Sequence, residues 1–129
     1  MIRIVLALLL FAGIASARDL GQWKYAAPDM AAYFATLTQP DSPYVSCCGV
    51  ADAYWADRTD TDQAGNLIAI ITDTRDDTSL ARPHVPVGTR IIVPHNKIRK
   101  RPIPNPTGHT LIFLSASQTV YCYEPLPGI

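Results

Sequence analysis

Three cysteines constrain the fold of this chain more than any other feature, because Cys47 and Cys48 are adjacent and Cys122 lies near the end. A disulfide from Cys122 to either neighbour would close a loop of about 75 residues, worth on the order of 4 kcal/mol in the chain-entropy model. A bond between Cys47 and Cys48 themselves would strain the intervening peptide and constrain no long loop. The spacing therefore predicts a disulfide from Cys122 to Cys47 or Cys48, and it leaves the partner open.

The first 17 residues have the pattern of a secretory signal peptide. Arg3 provides the positive charge, Ile4 to Ile14 form an apolar segment, and Ala15-Ser16-Ala17 is a small-residue cleavage motif. The apolar segment is too short to span a bilayer, which needs about 20 residues in a helix. We expect cleavage before Arg18, a mature chain without a stable membrane anchor, and a periplasmic or secreted location, where disulfides form.

The remaining segment, residues 18–129, is long enough for one hydrophobic core and too short for two. The chain has 11 basic and 11 acidic residues, and this balance gives no electrostatic basis for binding nucleic acid. Eleven prolines and a single glutamate argue against a helical bundle, because helices favour Glu and exclude Pro from their interiors. We therefore expect a single domain and no nucleic-acid partner.

One helix is predicted near the start of this domain. An apolar stripe with helical spacing lies between Pro28 and Pro40 and consists of Met30, Tyr33, Phe34 and Leu37. Pro28 suits the first position of a helix, and Pro40 would stop it. The stripe is typical of a helix that packs one face on a sheet.

Short strands are predicted along the rest of the domain, where β-branched and aromatic residues cluster between turn residues. They cover residues 66–72, 90–93, 110–116 and 119–124, the last two as a hairpin. Residues 53–57 are either a first strand or the end of a short helix. One N-terminal helix and four to five short strands predict an α+β domain. In this architecture the helix packs on a small, strongly bent antiparallel sheet or barrel.

The longest predicted loop, residues 94–110, contains the run of basic residues Lys97, Arg99, Lys100 and Arg101. Loops of this length in compact domains are often functional. A cluster of like charges is either a solvated surface or a patch for an anionic partner. The run is therefore a candidate anionic-partner patch. The sequence leaves the partner of the protein open, with a component of the cell envelope as one candidate.

No metal or cofactor is expected from the sequence. Asp60, Asp62 and Gly65 match part of a calcium-binding loop, but Ala64 and Ile71 stand where further ligands are needed. The other residues that could bind a metal lack the spacings typical of zinc sites; they are Cys47, Cys48, Asp52, His84, His95 and His109.

A nucleophile and a base are nonetheless suggested by two stretches. Cys48 precedes Gly49 at the predicted start of a short helix, where the dipole would lower the pKa of a thiol, and His109 precedes a predicted strand. In order and spacing these stretches resemble the NlpC/P60 cell-wall peptidases. The resemblance implies a cysteine hydrolase of cell-wall peptide, with Cys48 as nucleophile and His109 as general base. The polar group that orients the histidine in that family has no counterpart in residues 120–122.

A second resemblance covers most of the mature chain. The stretches SCCG (46–49), NPTGH (105–109) and VYCY (120–123) are similar to those of small bacterial exported proteins that carry a signal peptide. This resemblance implies a stand-alone exported domain and no particular activity. We therefore predict an exported, disulfide-stabilised, non-catalytic binding or structural module, with the Cys48/His109 hydrolase as the alternative.

Overall fold

The computed structural model describes residues 28–49, 51–100 and 104–126. The predicted signal peptide, residues 1–17, and the predicted cleavage site before Arg18 lie outside the described residues. The described part contains one α-helix, a single 3₁₀ turn (His95–Lys97) and eight strands. These are α1 (Pro28–Thr36), β1 (Thr38–Gln39), β2 (Ser42–Ser46), β3 (Asp52–Trp55), β4 (Arg58–Thr61), β5 (Leu67–Ile70), β6 (Arg90–Val93), β7 (Leu111–Leu114) and β8 (Val120–Glu124).

Helix α1 follows from the apolar stripe in its sequence. Tyr33 and Phe34, together with Leu37 just after the helix, are buried. The ring of Phe34 meets that of Phe113 edge-on, with 6.2 Å between the ring centroids. The helix ends at Thr36, whose hydroxyl donates a hydrogen bond to the carbonyl oxygen of Tyr33 at 2.7 Å. The chain then passes almost directly into β1.

The predicted α+β fold with one bent sheet or barrel is wrong. The described chain is mostly β, and its strands form three separate antiparallel sheets: β1 with β2, β7 between β3 and β8, and β5 between β4 and β6. Within the described residues, none of these sheets closes into a barrel. The prediction missed β1 and β4, which contain only polar residues, and β2, which contains a proline and has no buried residue. All four residues of β4 are exposed, so its sequence shows no apolar alternation.

Strand β7 is the centre of the hydrophobic core. All four of its residues are buried, and they alternate between two clusters because neighbouring side chains of a strand point to opposite faces. Ile112 and Leu114 pack against residues of the β4–β5–β6 sheet. Leu111 and Phe113 pack against the aromatic residues of α1. The β3–β7–β8 sheet is thus covered on both faces, which explains the continuous apolar sequence of β7.

A disulfide joins Cys47 to Cys122, with a Cα–Cα distance of 5.6 Å and a sequence separation of 75 residues. The predicted bond from Cys122 to one of the adjacent cysteines is confirmed, and the structure selects Cys47. The bond ties the end of the β1–β2 hairpin to β8, and Cys48 is left free. Disulfides persist in oxidising compartments, so the structure is that of a disulfide-stabilised small domain suited to such a compartment.

A buried carboxylate, Asp73, anchors the long connection between β5 and β6. Its fully buried side chain accepts hydrogen bonds from the Trp55 backbone N–H at 3.0 Å and from the Arg75 guanidinium at 2.6 Å. Arg82 donates to the same carboxylate at 2.9 Å and to Asp77 at 2.7 Å. Burial by itself would raise the pKa of Asp73, but the hydrogen bonds from the two arginines hold it well below its usual value. Ion pairs, rather than regular structure, therefore fix this connection.

Candidate functional site

The predicted nucleophile, Cys48, lies in a turn beside the disulfide and is partly buried. Its backbone N–H donates to the Ser46 hydroxyl at 3.0 Å, and its sulfur lies 4.0 Å from the carbonyl oxygen of Phe34. The described residues on either side of this turn form no helix that Cys48 would begin. Burial raises the pKa of the Cys48 thiol to about 11. The thiol is therefore protonated at neutral pH.

We expect slow alkylation of Cys48 in the native, disulfide-intact protein. With a thiol pKa of about 11, the thiolate fraction at pH 7 is about 1 in 10,000, against about 3 in 100 for an ordinary cysteine. Mass spectrometry after iodoacetamide treatment without reductant should show a rate at least about 100-fold below that of the urea-unfolded protein. A native rate equal to the unfolded rate would contradict this and would favour a reactive thiolate.

The predicted base, His109, makes a different set of contacts. Its ring stacks on the indole of Trp55 with a centroid distance of 3.7 Å, and its Nδ1 lies 2.7 Å from a carboxylate oxygen of Asp57. The other oxygen of Asp57 accepts a hydrogen bond from the Thr110 backbone N–H at 2.9 Å. Within the described residues no hydrogen bond connects His109 to Cys48. The structure thus gives each predicted residue its own partners and does not pair them.

Asp57 is a residue that the sequence reasoning missed. It takes the orienting position beside His109 for which residues 120–122 offered no candidate, although 52 positions separate the two in the chain. The signal that would have found it is the antiparallel pairing of β3 with β7, in which Trp55 lies opposite Leu111. Residues just after β3 and just before β7 therefore meet at the same end of the sheet.

A groove of about 420 Å³ lies between the β1–β2 hairpin and the segment of residues 95–100. This volume falls within the range of about 300–1,000 Å³ that is typical of ligand sites. The hairpin side of the groove is lined by Thr38, Gln39, Pro40, Asp41 and Pro43, and the opposite side by His95, Asn96, Ile98, Arg99 and Lys100.

Two sets of contacts position the 95–100 segment. Ile98 forms a parallel bridge with Tyr123, and the Arg99 backbone N–H donates to the Tyr123 carbonyl oxygen at 3.0 Å. The segment therefore lies along the outer edge of β8. On its other side, Lys97 Nζ donates to Asp41 at 2.8 Å and to the side-chain oxygen of Gln39 at 3.0 Å. The hydrogen bond from Lys97 lowers the pKa of Asp41, so this tie between the two walls is charged at neutral pH.

The predicted anionic-partner patch is only partly available to a partner. Lys97 pairs with Asp41, and Arg99 pairs with the fully buried Glu124, with 2.6 Å between Arg99 Nε and Glu124 Oε2. Lys100 is exposed and forms no ion pair among the described residues. Arg101 lies outside the described residues. Lys100 is therefore the one basic residue of this run that the structure describes without an ion pair to another described residue.

An exposed bulge adjoins the groove at Pro43. Gln39 lies opposite Ser42 and Thr38 opposite Ser46, so residues 43–45 of β2 have no partners in β1. Tyr44 is 100% exposed and Val45 is 46% exposed. A fully exposed tyrosine directly follows Pro43, which lines the groove.

The acidic turn that resembles a calcium loop is closed by its own hydrogen bonds. Asp62 accepts from the backbone N–H groups of Ala64 and Asn66 at 2.9 and 2.8 Å, and Asp60 pairs with Arg90 at 2.6 Å. Residues 28–49, 51–100 and 104–126 contain no group of three or more His, Cys, Asp or Glu side chains that could hold a metal ion. Among the helices that the structure describes, none is long and apolar enough to cross a membrane.

No protein-family model, curated protein or solved structure matches this chain. Functional assignment therefore rests on the geometry of the groove and on the surroundings of Cys48 and His109.

Proposed function

We propose that this protein is a small exported module, periplasmic or secreted, that binds a ligand in the groove between the β1–β2 hairpin and residues 95–100 without transforming it. The groove itself is the observation that carries this proposal. Ligand sites are concave, largely pre-formed, and lined by apolar surface with a few polar groups that fix orientation. Here Pro40, Pro43 and Ile98 supply apolar surface, while Asn96 and Arg99 supply hydrogen-bond donors.

The walls of this groove are held together in advance of binding. Lys97 connects the 95–100 segment to the hairpin through Gln39 and Asp41, and the Cys47–Cys122 disulfide connects the hairpin to β8. A site that is already ordered costs less conformational entropy when a ligand binds. A component of the cell envelope is the partner that fits an exported protein.

The hydrolase alternative has less support from the geometry. The Cys48 thiol is protonated at neutral pH because burial raises its pKa to about 11, and no hydrogen bond joins it to His109 within the described chain. His109 does have an orienting carboxylate, Asp57, at 2.7 Å. An oriented imidazole without an activated nucleophile beside it is an incomplete catalytic arrangement.

The binding proposal is tested by nuclear magnetic resonance of nitrogen-15-labelled, disulfide-intact protein against a library of small fragments. Shifted amide signals should cluster at the groove, at Gln39, Asp41, Asn96 and Lys100, because fragments bind to pre-formed concave sites. Shifts that cluster instead around Cys48 and His109, or no fragment that shifts the groove signals, would overturn the proposal.

A second assay separates binding from hydrolysis. The protein should leave soluble cell-wall stem peptides uncleaved during long incubation at neutral pH, as judged by mass spectrometry. Cleavage that disappears in both Cys48→Ser and His109→Ala, and that persists in the exposed-surface control Arg58→Gln, would establish the hydrolase instead.

A further inference from the structure

Arg99 lines the groove, and two contacts restrict the orientation of its guanidinium. Its Nε lies 2.6 Å from Glu124 Oε2, and its Nη1 donates to the carbonyl oxygen of Thr38 at 3.0 Å. The carboxylate of Glu124 is fully buried, and the Arg99 side chain is only 17% exposed. The contact with Glu124 is a close ion pair without hydrogen-bond geometry, whereas the contact with Thr38 is a hydrogen bond. Together they restrict the guanidinium, since the group is rigid and its donors form a fixed fork.

One nitrogen of this guanidinium is left for a ligand. Within the described residues Nη2 of Arg99 has no hydrogen bond, and it is not among the buried nitrogen and oxygen atoms that lack a partner. Arg99 lines the groove and its side chain is partly exposed, so Nη2 is the donor of this guanidinium that a ligand in the groove would meet. A fixed guanidinium with free donors is suited to a carboxylate, which accepts strong charge-assisted hydrogen bonds.

Among the described residues, the charges at and beside the groove leave an excess of positive charge. Three cations, Lys97, Arg99 and Lys100, face two anions, Asp41 and Glu124, and each anion is already paired with one of the first two cations. Lys100 therefore remains without a counter-ion among the described residues. An anionic group that enters the groove would neutralise this excess positive charge, since opposite charges in contact favour the bound state.

The apolar lining of the groove and the exposed tyrosine beside it favour a peptide as the ligand. The apolar residues Pro40, Pro43 and Ile98 line the groove along both sides, which suits an extended chain. Tyr44, completely exposed next to the lining residue Pro43, is a residue type that is enriched among the dominant contacts of protein interfaces.

We propose that the groove binds an extended acidic peptide segment of another exported protein, with an Asp or Glu side chain of that segment paired to Arg99 Nη2 and Lys100. Tyr44, which follows Pro43 in the chain, contacts a neighbouring apolar residue of the peptide beside the groove. This inference rests on the proposed binding function and adds the chemical class of the ligand to it. Pre-orientation of Arg99 by Glu124 reduces the entropy lost on binding.

The test begins with selection of random linear peptides, displayed on phage, against the full disulfide-intact protein at low ionic strength, where surface charges are least screened. Enriched peptides are synthesised with an acetylated N-terminus and an amidated C-terminus, so that their carboxylates come from side chains alone. Each should contain Asp or Glu, and replacement by Asn or Gln should weaken the Kd by at least about tenfold. This comparison changes only the ligand and does not depend on the stability of a variant.

Protein variants then locate the contact. Lys100→Gln and Tyr44→Ser change exposed side chains and should fold normally, and each should weaken the Kd of the acidic peptides several-fold. Arg99→Lys keeps the positive charge but removes the planar guanidinium with its several donors, so it should weaken binding more than Lys100→Gln does. Arg58→Gln, at an exposed position of β4 outside the groove, is the matched control and should leave the Kd unchanged.

The outcomes separate this inference from the proposed function. Enriched peptides that lack acidic residues but shift the amide signals of the groove would overturn the carboxylate inference and leave the binding function in place. Enriched peptides that shift only signals outside the groove would overturn both. An absence of any enriched peptide would also overturn the inference.

Discussion

Replacement of Asp73 by Asn should destabilise the domain by about 3–5 kcal/mol, the effect expected when one partner of a buried ion pair is removed. The Asp73 side chain is fully buried and that of Arg82 is only 3% exposed. In the variant the Arg82 guanidinium would keep Asp77 as its one charged partner and would lose the buried carboxylate. The connection between β5 and β6 would then lose the carboxylate that accepts from Trp55, Arg75 and Arg82. Urea unfolding of the disulfide-intact protein measures the change.

An exposed ion pair provides the control for this experiment. Asp60 pairs with Arg90 at a similar distance, but both side chains are about half exposed. Exposed pairs contribute little to stability, so Asp60→Asn should cost much less than Asp73→Asn. Equal effects of Asp60→Asn and Asp73→Asn would show that the buried network is not a main source of stability.

The same carboxylate makes stability depend on pH in a defined direction. The pKa of Asp73 is lower in the folded protein than its ordinary value of 3.8, so the unfolded state binds more protons in acid. The stability that Asp73 contributes is complete above that ordinary pKa and is lost as the pH falls towards the folded value. Unfolding free energies measured between about pH 6 and pH 2 should therefore fall less steeply in Asp73→Asn than in wild type. Identical slopes of unfolding free energy against pH in the two proteins would contradict a charged Asp73 in the folded state.

Removal of the disulfide should have an effect of similar size. Cys122→Ser should cost about 2–5 kcal/mol, because the bond closes a long loop and restricts the unfolded chain. The loss would weaken the attachment of β8, a strand that otherwise pairs with β7 along one edge and with Ile98 on the other. Cys48→Ser is the matched control and should cost much less, since Cys48 is free.

The pairing itself can be read from a peptide map of the unreduced protein. A fragment that links Cys47 to Cys122 is expected. A fragment that links Cys48 to Cys122 would show that the wrong neighbour has been assigned. Cys47→Ser should be combined with Cys48→Ser in the unfolding experiments, because the single variant would leave Cys48 able to take over the bond.

The features that could be predicted from the sequence are those set by local patterns. The apolar stripe around Phe34 indicated a helix, the run LIFL indicated the buried strand β7, and cysteine spacing indicated a bond to Cys122. Strand β4, with the sequence RTDT, is exposed at every position, so no local pattern marked it. The division of the strands into three sheets depends on pairings that no single stretch encodes.

The contacts of the candidate site also depend on pairings between distant parts of the chain. The basic run was visible in the sequence, but the partners of its members were not. Asp41 lies 56 positions from Lys97, and Glu124 reaches Arg99 only because the 95–100 segment lies along β8. The three described cations of this run thus became one internal tie, one oriented guanidinium and one lysine without an ion pair among the described residues. Asp57, likewise, joins His109 only through the pairing of β3 with β7.

The most direct test of the binding account is a crystal structure of the disulfide-intact protein with the tightest-binding acidic peptide. We expect the peptide to lie between the β1–β2 hairpin and residues 95–100, with a carboxylate oxygen at about 2.7–3.2 Å from Arg99 Nη2. Peptide bound at the Trp55–His109 stack or elsewhere, with the groove open to solvent, would contradict the account.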